Sequence, residues 1–265
     1  MVGIQVSTKV KKLSRRLEAK RQSLLSSYED EELHKLRITL RRMRSYLKRQ
    51  SGSKARRLRG ELAGLADQTN PARDWDTLLT HAHTTLDPQE FERVQPVLEG
   101  QRALTHLELA KTLDSKRWFK VTRHWNRFTA KHLPRQPSPG ATPDAMDKTM
   151  RRVAAARRGA LSSNKDRDWH KLRIPIKDLR YTLDNIPTKL RDDDTRNMLA
   201  HCKSLQDDLG NWHDAVQHRG LLLDFLQEQG LDEQTEQALI RLCQAFELER
   251  DARLEHVRST LDALS

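Results

Sequence analysis

The chain has 265 residues, of which 36% are hydrophobic, and carries a formal net charge of +12 at pH 7. It contains no run of about 18 apolar residues, which excludes a transmembrane helix, and its two Cys are too few for a disulfide framework. The positive charge attracts polyanions such as nucleic acid, an anionic membrane or polyphosphate, without selecting among them. Cys202 and Cys243 lack a paired zinc-ligand spacing, and the N-terminus lacks the apolar stretch of a signal peptide. We therefore expect a cytoplasmic protein with no membrane partner and no metal.

Apolar residues recur at helical spacing through nearly the whole chain, and no alternating strand pattern is evident. The predicted fold class is therefore all-α. Residues 134–143 contain four prolines, which forbid a continuous helix and predict a Pro-rich linker between an N-terminal half, 1–133, and a C-terminal half, 144–265. Helix starts are predicted at Ser53, Asp87, Asp114, Asp144 and Asp166, and helix stops at Gly52, Gly210 and Gly230.

The first two predicted helices carry one-sided rows of cations. The first has Lys9, Lys12, Arg16 and Lys20 at spacings of three and four. The second has His34, Arg37, Arg41 and Arg44 at relative positions 0, 3, 7 and 10, which fall within an arc of roughly 80° on a helix. An apolar stripe occupies the neighbouring arc: Leu36, Leu40, Met43 and Leu47. A cationic row that borders a buried face is placed where an anion can be held.

Acidic side chains that would neutralise this second row are missing. Positions 34 to 49 contain seven Lys or Arg and no Asp or Glu, and uncompensated like charge along a helix costs stability. An anionic ligand would supply the countercharge, whereas an ordinary solvated surface helix is the alternative. The row extends over about 15 Å of helix rise, which suits a linear polyanion better than a mononucleotide.

A later helix of the N-terminal half repeats this geometry with a different sequence. Its cations lie at relative positions 0, 3, 7, 10 and 14: Arg117, Lys120, His124, Arg127 and Lys131. A stripe of large apolar residues on the same helix is predicted to lie in the core: Trp118, Val121, Trp125 and Phe128.

The motif of the row at His34 to Arg44 occurs twice in the chain. The same motif returns 136 residues later as His170, Arg173, Lys177 and Arg180. At the same offset Lys12 and Arg16 match Lys148 and Arg152, and with four more residues of offset Arg73-Asp74 matches His213-Asp214. This repeat predicts an internal duplication into two related antiparallel helical bundles, packed about a pseudo-twofold axis.

The second copy departs from the first at two positions. Pro175 interrupts the motif and is expected to kink its helix, and Asp178 replaces the base found at Arg42. Both changes predict that the row of the second copy, at His170 to Arg180, binds an anion less tightly than the row at His34 to Arg44, or at a different angle.

Several residues keep two interpretations. His34 and His170 either donate to a phosphate oxygen or make a local hydrogen bond at a helix start. Tyr181 either lies in the core or hydrogen-bonds at the anion site. The carboxylates Asp74 and Asp214 are favoured as partners that orient an Arg or cap a helix over metal ligands, an alternative that extends to Asp76, Asp207 and Asp208.

At the doubled motif His-x-x-Arg-x-x-x-Arg/Lys-x-x-Arg the chain resembles the CHAD family, the conserved-histidine α-helical domains. Arg180-Tyr181 and the stretch from Leu205-Gln206-Asp207 through Leu209-Gly210 to Asp214 are similar to the family as well. The resemblance implies that both halves form a single CHAD-type domain, with two pseudo-symmetric bundles around a basic central groove or channel. It also implies binding of inorganic polyphosphate and, as in some members, a place at polyphosphate granules.

The leading hypothesis is noncatalytic binding of inorganic polyphosphate, with other polyanions as further partners and no obligate protein partner. Its main contacts are His34, Arg37, Arg41, Arg44, His170, Arg173, Lys177 and Arg180, with Lys12, Arg16, Lys148 and Arg152 from facing helices. Its secondary contacts are Lys20, Lys48, Arg117, Lys120, Arg127 and Tyr181. Many such contacts displace counterions from a polyanion, and Arg takes two phosphate oxygens at once.

Two other functions are less favoured. Nucleic-acid binding through the same rows is the alternative, but aromatic residues make up only 5% of the chain, and no helix-turn-helix or zinc-finger signature is present. A phosphohydrolase or kinase would need a Gly-rich phosphate loop, a nucleophile with its base, or an acidic cluster for two metals. None is recognisable, so we expect no catalytic residues, no cofactor and no enzyme activity.

Overall fold

The computed structural model describes residues 2–48, 50–131, 143–163, 165–184, 186, 188–228 and 230–262. Within these ranges the chain forms ten α-helices, one short 3-10 helix and no strand, so the predicted all-α fold class is confirmed. No helix in the described ranges is both long enough and apolar enough to cross a bilayer.

The chain divides into two compact units, Met1–Ser138 (unit 1) and Pro139–Ser265 (unit 2). Unit 1 contains α1 (Val2–Ser26), α2 (Asp30–Lys48), α3 (Ser53–Asp67), α4 (Asn70–Thr85), α5 (Pro88–Leu113) and α6 (Lys116–Lys131). Unit 2 contains α7 (Pro143–Ser163), α8 (Asp166–Asp184), the 3-10 helix (Thr188–Leu190), α9 (Asp193–Glu228) and α10 (Glu233–Asp262). The boundary between the units falls within the predicted linker 134–143. Of that linker, residues 134–142 lie outside the described residues, and Pro143 begins α7.

The core of unit 1 is organised around α2, which packs against α1, α3 and α4. Four residues of its predicted apolar stripe, Leu36, Leu40, Met43 and Leu47, are at most 1% exposed. The stripe of α6 joins the same core, which confirms the prediction for Trp118, Val121, Trp125 and Phe128. Burial of these periodic apolar faces fixes the rotation of each helix about its axis.

Unit 2 is built on the long helix α9, which packs against α8 and α10, while α7 packs against α8. Its core contains two fully buried tryptophans, Trp169 of α8 and Trp212 of α9, together with Leu172 and Ile176. Cys202 and Cys243 are free and buried, and burial raises the pKa of each thiol to about 11. Neither thiol is therefore ionised near neutral pH.

Helices α2 and α8 occupy equivalent stretches of sequence. Each has 19 residues, and α8 begins and ends 136 residues after α2. Pro175 lies buried inside α8, and the helix continues through it. Because Pro175 has no N–H, the carbonyl of Lys171 lacks its usual helical donor. The duplication itself stays a prediction from the sequence.

The next elements differ between the units. In unit 1 the helical structure is interrupted at Gln68 and Thr69, which separate α3 from α4. Unit 2 has instead the single 36-residue helix α9. The predicted stop at Gly210 is therefore wrong, because this residue lies inside α9. Packing of α9 between α8 and α10 outweighs the weak helix propensity of one glycine.

Most other predicted helix boundaries agree with the structure. Asp87 caps α5 by accepting the N–H groups of Gln89 and Glu90, both at 2.9 Å. Gly52 has a φ of 104°, a left-handed conformation suited to glycine, just before α3. The predicted start at Asp114 is wrong: this residue ends α5, and the Ser115 hydroxyl accepts the N–H of Trp118 in the first turn of α6.

We expect Leu40→Ala to lower the free energy of unfolding by about 2–5 kcal/mol, since Leu40 is fully buried beneath the basic row of α2. The matched control is Leu104→Ala at a residue that is 57% exposed, for which a change within about 0.5 kcal/mol is expected. Urea unfolding followed by circular dichroism measures both. Equal losses in the two variants would contradict the core assignment.

Candidate functional site

The basic row of α2 runs along the border of the helix's buried face. His34, Arg37 and Arg44 are partly buried, whereas Arg41 and Lys48 are exposed. The neighbouring positions Leu33, Leu36 and Leu40 are completely buried. The row therefore has a fixed position, because the rotation that buries the leucines also sets the direction of the cations.

Arg37 is anchored to the junction between α3 and α4. Its Nη1 donates to Thr69 Oγ1 and Asn70 Oδ1, both at 2.7 Å, and to the carbonyl of Ala66 at 3.4 Å. Thr69 is fully buried and also donates to Ala66 O. These bonds tie α2 to the junction between α3 and α4, so Arg37 has a structural role beside any contact with a ligand.

Charged side chains of both signs surround Arg37. Burial lowers the pKa of the Arg37 guanidinium, and the charges of Arg73 and Arg41 act in the same direction, while the carboxylates of Asp74 and Asp67 oppose them. Arg73 of α4 therefore lies near Arg37 of α2. Arg73 was not predicted from the sequence as a site residue, although its match to His213 in the repeat was an available signal.

Unit 2 assembles a corresponding cluster from α8 and α9. The rings of His170 and His213 lie 5.0 Å apart, and Nε of Arg173 is buried without a hydrogen bond to the described residues. Burial lowers the pKa of His213 to about 4, and the charges of Arg173 and His170 act in the same direction. His213 is therefore neutral at physiological pH, and an anion placed here would favour its protonation.

The far end of the α8 row contains an aromatic side chain. The Arg180 guanidinium lies 5.8 Å from the centre of the Tyr181 ring, and its Nε is 3.5 Å from Asp184 Oδ2. Tyr181 is 45% exposed, so of the two interpretations the core position is wrong. Lys177, between Arg173 and Arg180, is partly buried.

The helices before each row hold some of their cations in ion pairs. Lys20 of α1 donates to Glu32 of α2 at 2.6 Å, and this bond lowers the pKa of Glu32. Arg152 of α7 donates to Asp178 of α8 at 2.9 Å. Asp178 follows Lys177 and so lies about 100° around α8 from the row.

The remaining predicted contacts on α1 and α7 lie at the surface: Lys12, Arg16 and Lys148 are all exposed. The unit 1 residues that correspond to Arg152 and Asp178 are Arg16 and Arg42, both exposed and both positive. At these two equivalent positions unit 1 therefore carries two cations, whereas unit 2 carries an ion pair.

The predicted secondary contacts on α6 lie on a different surface of unit 1. Arg117, Lys120 and Arg127 are exposed, and α6 packs against α1, α3 and α5. The Arg117 guanidinium lies over Gly64 of α3, so close that a Cβ at Gly64 would be 2.5 Å from Nη2. These cations face the α3 side of unit 1.

Asp76, one of the carboxylates considered as metal ligands, is bound by other side chains instead. Asp76 is 4% exposed and accepts hydrogen bonds from the Tyr28 hydroxyl and from Arg102 Nε, with His106 Nε2 at 3.0 Å. Burial alone would raise the pKa of Asp76, but these three partners outweigh it and hold the pKa below its usual range. No group of three or more metal-ligating side chains is arranged for a metal among the described residues.

We expect Arg37→Ala to lower the free energy of unfolding by roughly 2–4 kcal/mol, because acceptors at the α3–α4 junction lose their charged donor. Arg41→Ala removes the same charge one turn further along α2 and is expected to change stability by less than about 0.5 kcal/mol. Chemical denaturation of both variants checks this difference. A stable Arg37→Ala variant would show that the junction does not depend on this side chain.

Comparison with known proteins identifies the fold. A family model described as the CHAD domain matches residues 10–223. The structure is similar to the crystal structure of the CHAD domain from the plant Ricinus communis, with 21% identity, a TM-score of 0.70, and coverage of 97% of this chain and 90% of that one. It is also similar to PptA from Streptomyces chartreusis, with 16% identity, a TM-score of 0.62, and coverage of 96% and 99%.

No curated protein matches the sequence. At these identities the two solved structures establish the fold, while the family model spans most of the chain. The chain belongs to the CHAD family.

Proposed function

We propose that this protein binds inorganic polyphosphate, without chemically converting it, through the basic rows of α2 and α8. The observation that carries the proposal is the clustering of Arg and His side chains at equivalent places in the two units. Arg37, Arg41 and Arg73 come together in unit 1, and His170, Arg173 and His213 come together in unit 2. Membership of the CHAD family supports the same ligand.

The α2 row suits an extended polyanion because Arg41, Arg44 and Lys48 form no ion pair with the residues that the structure describes. The ion pairs that α2 forms within the described ranges use Lys20 and Lys35 with Glu31 and Glu32. Arg41, Arg44 and Lys48 lie outside these pairs. Successive phosphates along about 15 Å of helix can then replace water and counterions at several side chains in turn.

Within the row, different cations have different roles. Arg37 is held in place by Thr69 and Asn70 and presents a preorganised positive charge. Arg41 and Lys48 are exposed and adapt to the ligand. Neither His34 nor His170 forms a hydrogen bond with the described residues, which leaves both imidazoles able to donate to phosphate.

The two units are expected to bind unequally. In unit 2 Arg152 is paired with Asp178, and Arg180 lies beside Asp184. Unit 1 has Arg42 in place of Asp178, so its surface near the row remains more positive. A polyanion should therefore gain more electrostatic energy at unit 1 than at unit 2.

Nucleic-acid binding through the same rows gains no support from the tryptophans. The five tryptophans are each at most 5% exposed, so none offers a face on which a base could stack. Competition separates the two ligands: single-stranded RNA that displaces polyphosphate at equal charge concentration would favour the nucleic-acid function instead.

Binding without hydrolysis can be tested separately from binding itself. No release of phosphate from polyphosphate is expected when magnesium or manganese is present, and measurable release would reject a purely binding function.

We place the protein in the cytoplasm at polyphosphate granules. A fluorescent fusion that stays diffuse in cells with visible granules would contradict that location.

We expect the double variant Arg41→Ala with Arg44→Ala to weaken polyphosphate binding by about tenfold or more at low salt, since it removes two charged contacts. The wild-type affinity should fall steeply as salt rises, and the variant should show a shallower salt slope because it releases fewer counterions. Fluorescence titrations over a salt series measure both effects.

The control removes the same charge from exposed positions on α3, with Arg56→Ala and Arg59→Ala. It should lose much less affinity than the α2 variant. Equal losses in the two double variants would reduce the effect to net charge and reject the α2 row as the site.

We expect Asp178→Asn to raise the affinity for polyphosphate by about threefold, because it frees Arg152 from a surface ion pair of the usual strength. Asp224→Asn makes the same charge change at an exposed position of α9 and is the control. If the affinity is unchanged, or rises equally in both variants, the local ion pair does not limit binding at unit 2.

A further inference from the structure

A second basic surface of unit 1 lies between α3 and α6 and includes no residue of α2. The two helices border a cleft with a volume of about 290 Å³, close to the lower end of the range for small-molecule sites. Lys54 and Arg57 line it from α3, and Arg127 and Lys131 line it from α6. Four cations from two helices thus surround a space that fits a small molecule.

The same cleft has an apolar floor. Leu58 of α3 and Phe128 of α6 line it, and they are only 4% and 8% exposed. Each belongs to the core of unit 1, which holds the side chain in place. An apolar group that enters the cleft would lose contact with water against a rigid surface.

One carboxylate connects the two helices in the cleft. Glu61 accepts a hydrogen bond from Arg57 Nε at 3.0 Å, and His124 Nδ1 lies 2.9 Å from its other oxygen. Burial alone would raise the pKa of Glu61, but the hydrogen bonds from His124 and Arg57 outweigh it and hold the pKa below its usual range. Glu61 is therefore ionised and offsets one of the four positive charges.

The other three cations have no such neutralisation within the part of the chain that the structure describes. Lys54, Arg127 and Lys131 are exposed and form no ion pair with a described residue. The cleft therefore combines net positive charge with an apolar floor. The α2 row differs, because the apolar residues beside it, such as Leu36 and Leu40, are completely buried and out of reach of a ligand.

We propose that the cleft between α3 and α6 binds a small organic phosphate with a planar apolar group, of the aryl phosphate or nucleoside phosphate class. The phosphate pairs with Lys54, Arg127 and Lys131 at the rim. The apolar group packs on Leu58 and Phe128. This site is independent of polyphosphate binding at α2 and α8, so either function can hold without the other.

Isothermal titration calorimetry of the full chain with adenosine diphosphate, naphthyl phosphate and inorganic pyrophosphate tests the proposal. Wild type should bind at least one of the organic phosphates more tightly than pyrophosphate, which has the charge but no apolar group. Binding of only one organic phosphate identifies which of the two classes the cleft accepts. The double variant Lys54→Glu with Arg127→Glu should weaken this binding by about tenfold or more.

The control variant, Arg59→Glu with Arg123→Glu, makes the same change in net charge on the same two helices at residues that do not line the cleft. It should retain most of the affinity for the organic phosphate. Pyrophosphate binding as tight as that of both organic phosphates, no binding of either organic phosphate, or equal losses in the two variants would each overturn the proposal. Because pyrophosphate can also bind at the basic rows of α2 and α8, only the binding that the Lys54→Glu with Arg127→Glu variant loses and the control variant retains is assigned to the cleft.

Discussion

Burial of one face of α2 is the constraint on which the site in unit 1 depends. Leu33, Leu36 and Leu40 are completely inaccessible to solvent, and their burial fixes the rotation of the helix. Because the basic row borders this face, the cations cannot turn away from one another without exposing the leucines. Hydrophobic packing therefore sets the direction of the charges, and the mutual repulsion of those charges is a stability cost that the packing must outweigh.

The sequence allowed a good prediction of what depends on periodicity. The all-α class and the buried stripe of α6 follow from local spacing, and the equal lengths of α2 and α8 agree with the repeated motif. The roles that were missed depend on residues far apart in the chain. The acceptors of Arg37 are 29 to 33 residues away, and nothing in its own helix indicates that it holds a junction between two others.

Two further misses have local causes. Gly210 has a low helix propensity, but packing on α8 and α10 keeps α9 continuous. Asp114 and Ser115 are both good capping residues, and only the geometry of the turn decides that Ser115 caps α6. Arg73 and His213 were visible as a repeat, yet their approach to the basic rows is a property of the folded units.

The break between α3 and α4 also has a dynamic consequence. In unit 1 the two shorter helices α3 and α4 meet at Thr69, which accepts a hydrogen bond from the Arg37 guanidinium. In unit 2 the corresponding stretch is the single 36-residue helix α9. A junction held by a few hydrogen bonds opens with a smaller free energy than the middle of a packed helix. We therefore expect amide hydrogens near Thr69 to exchange with solvent sooner than those in the middle of α9.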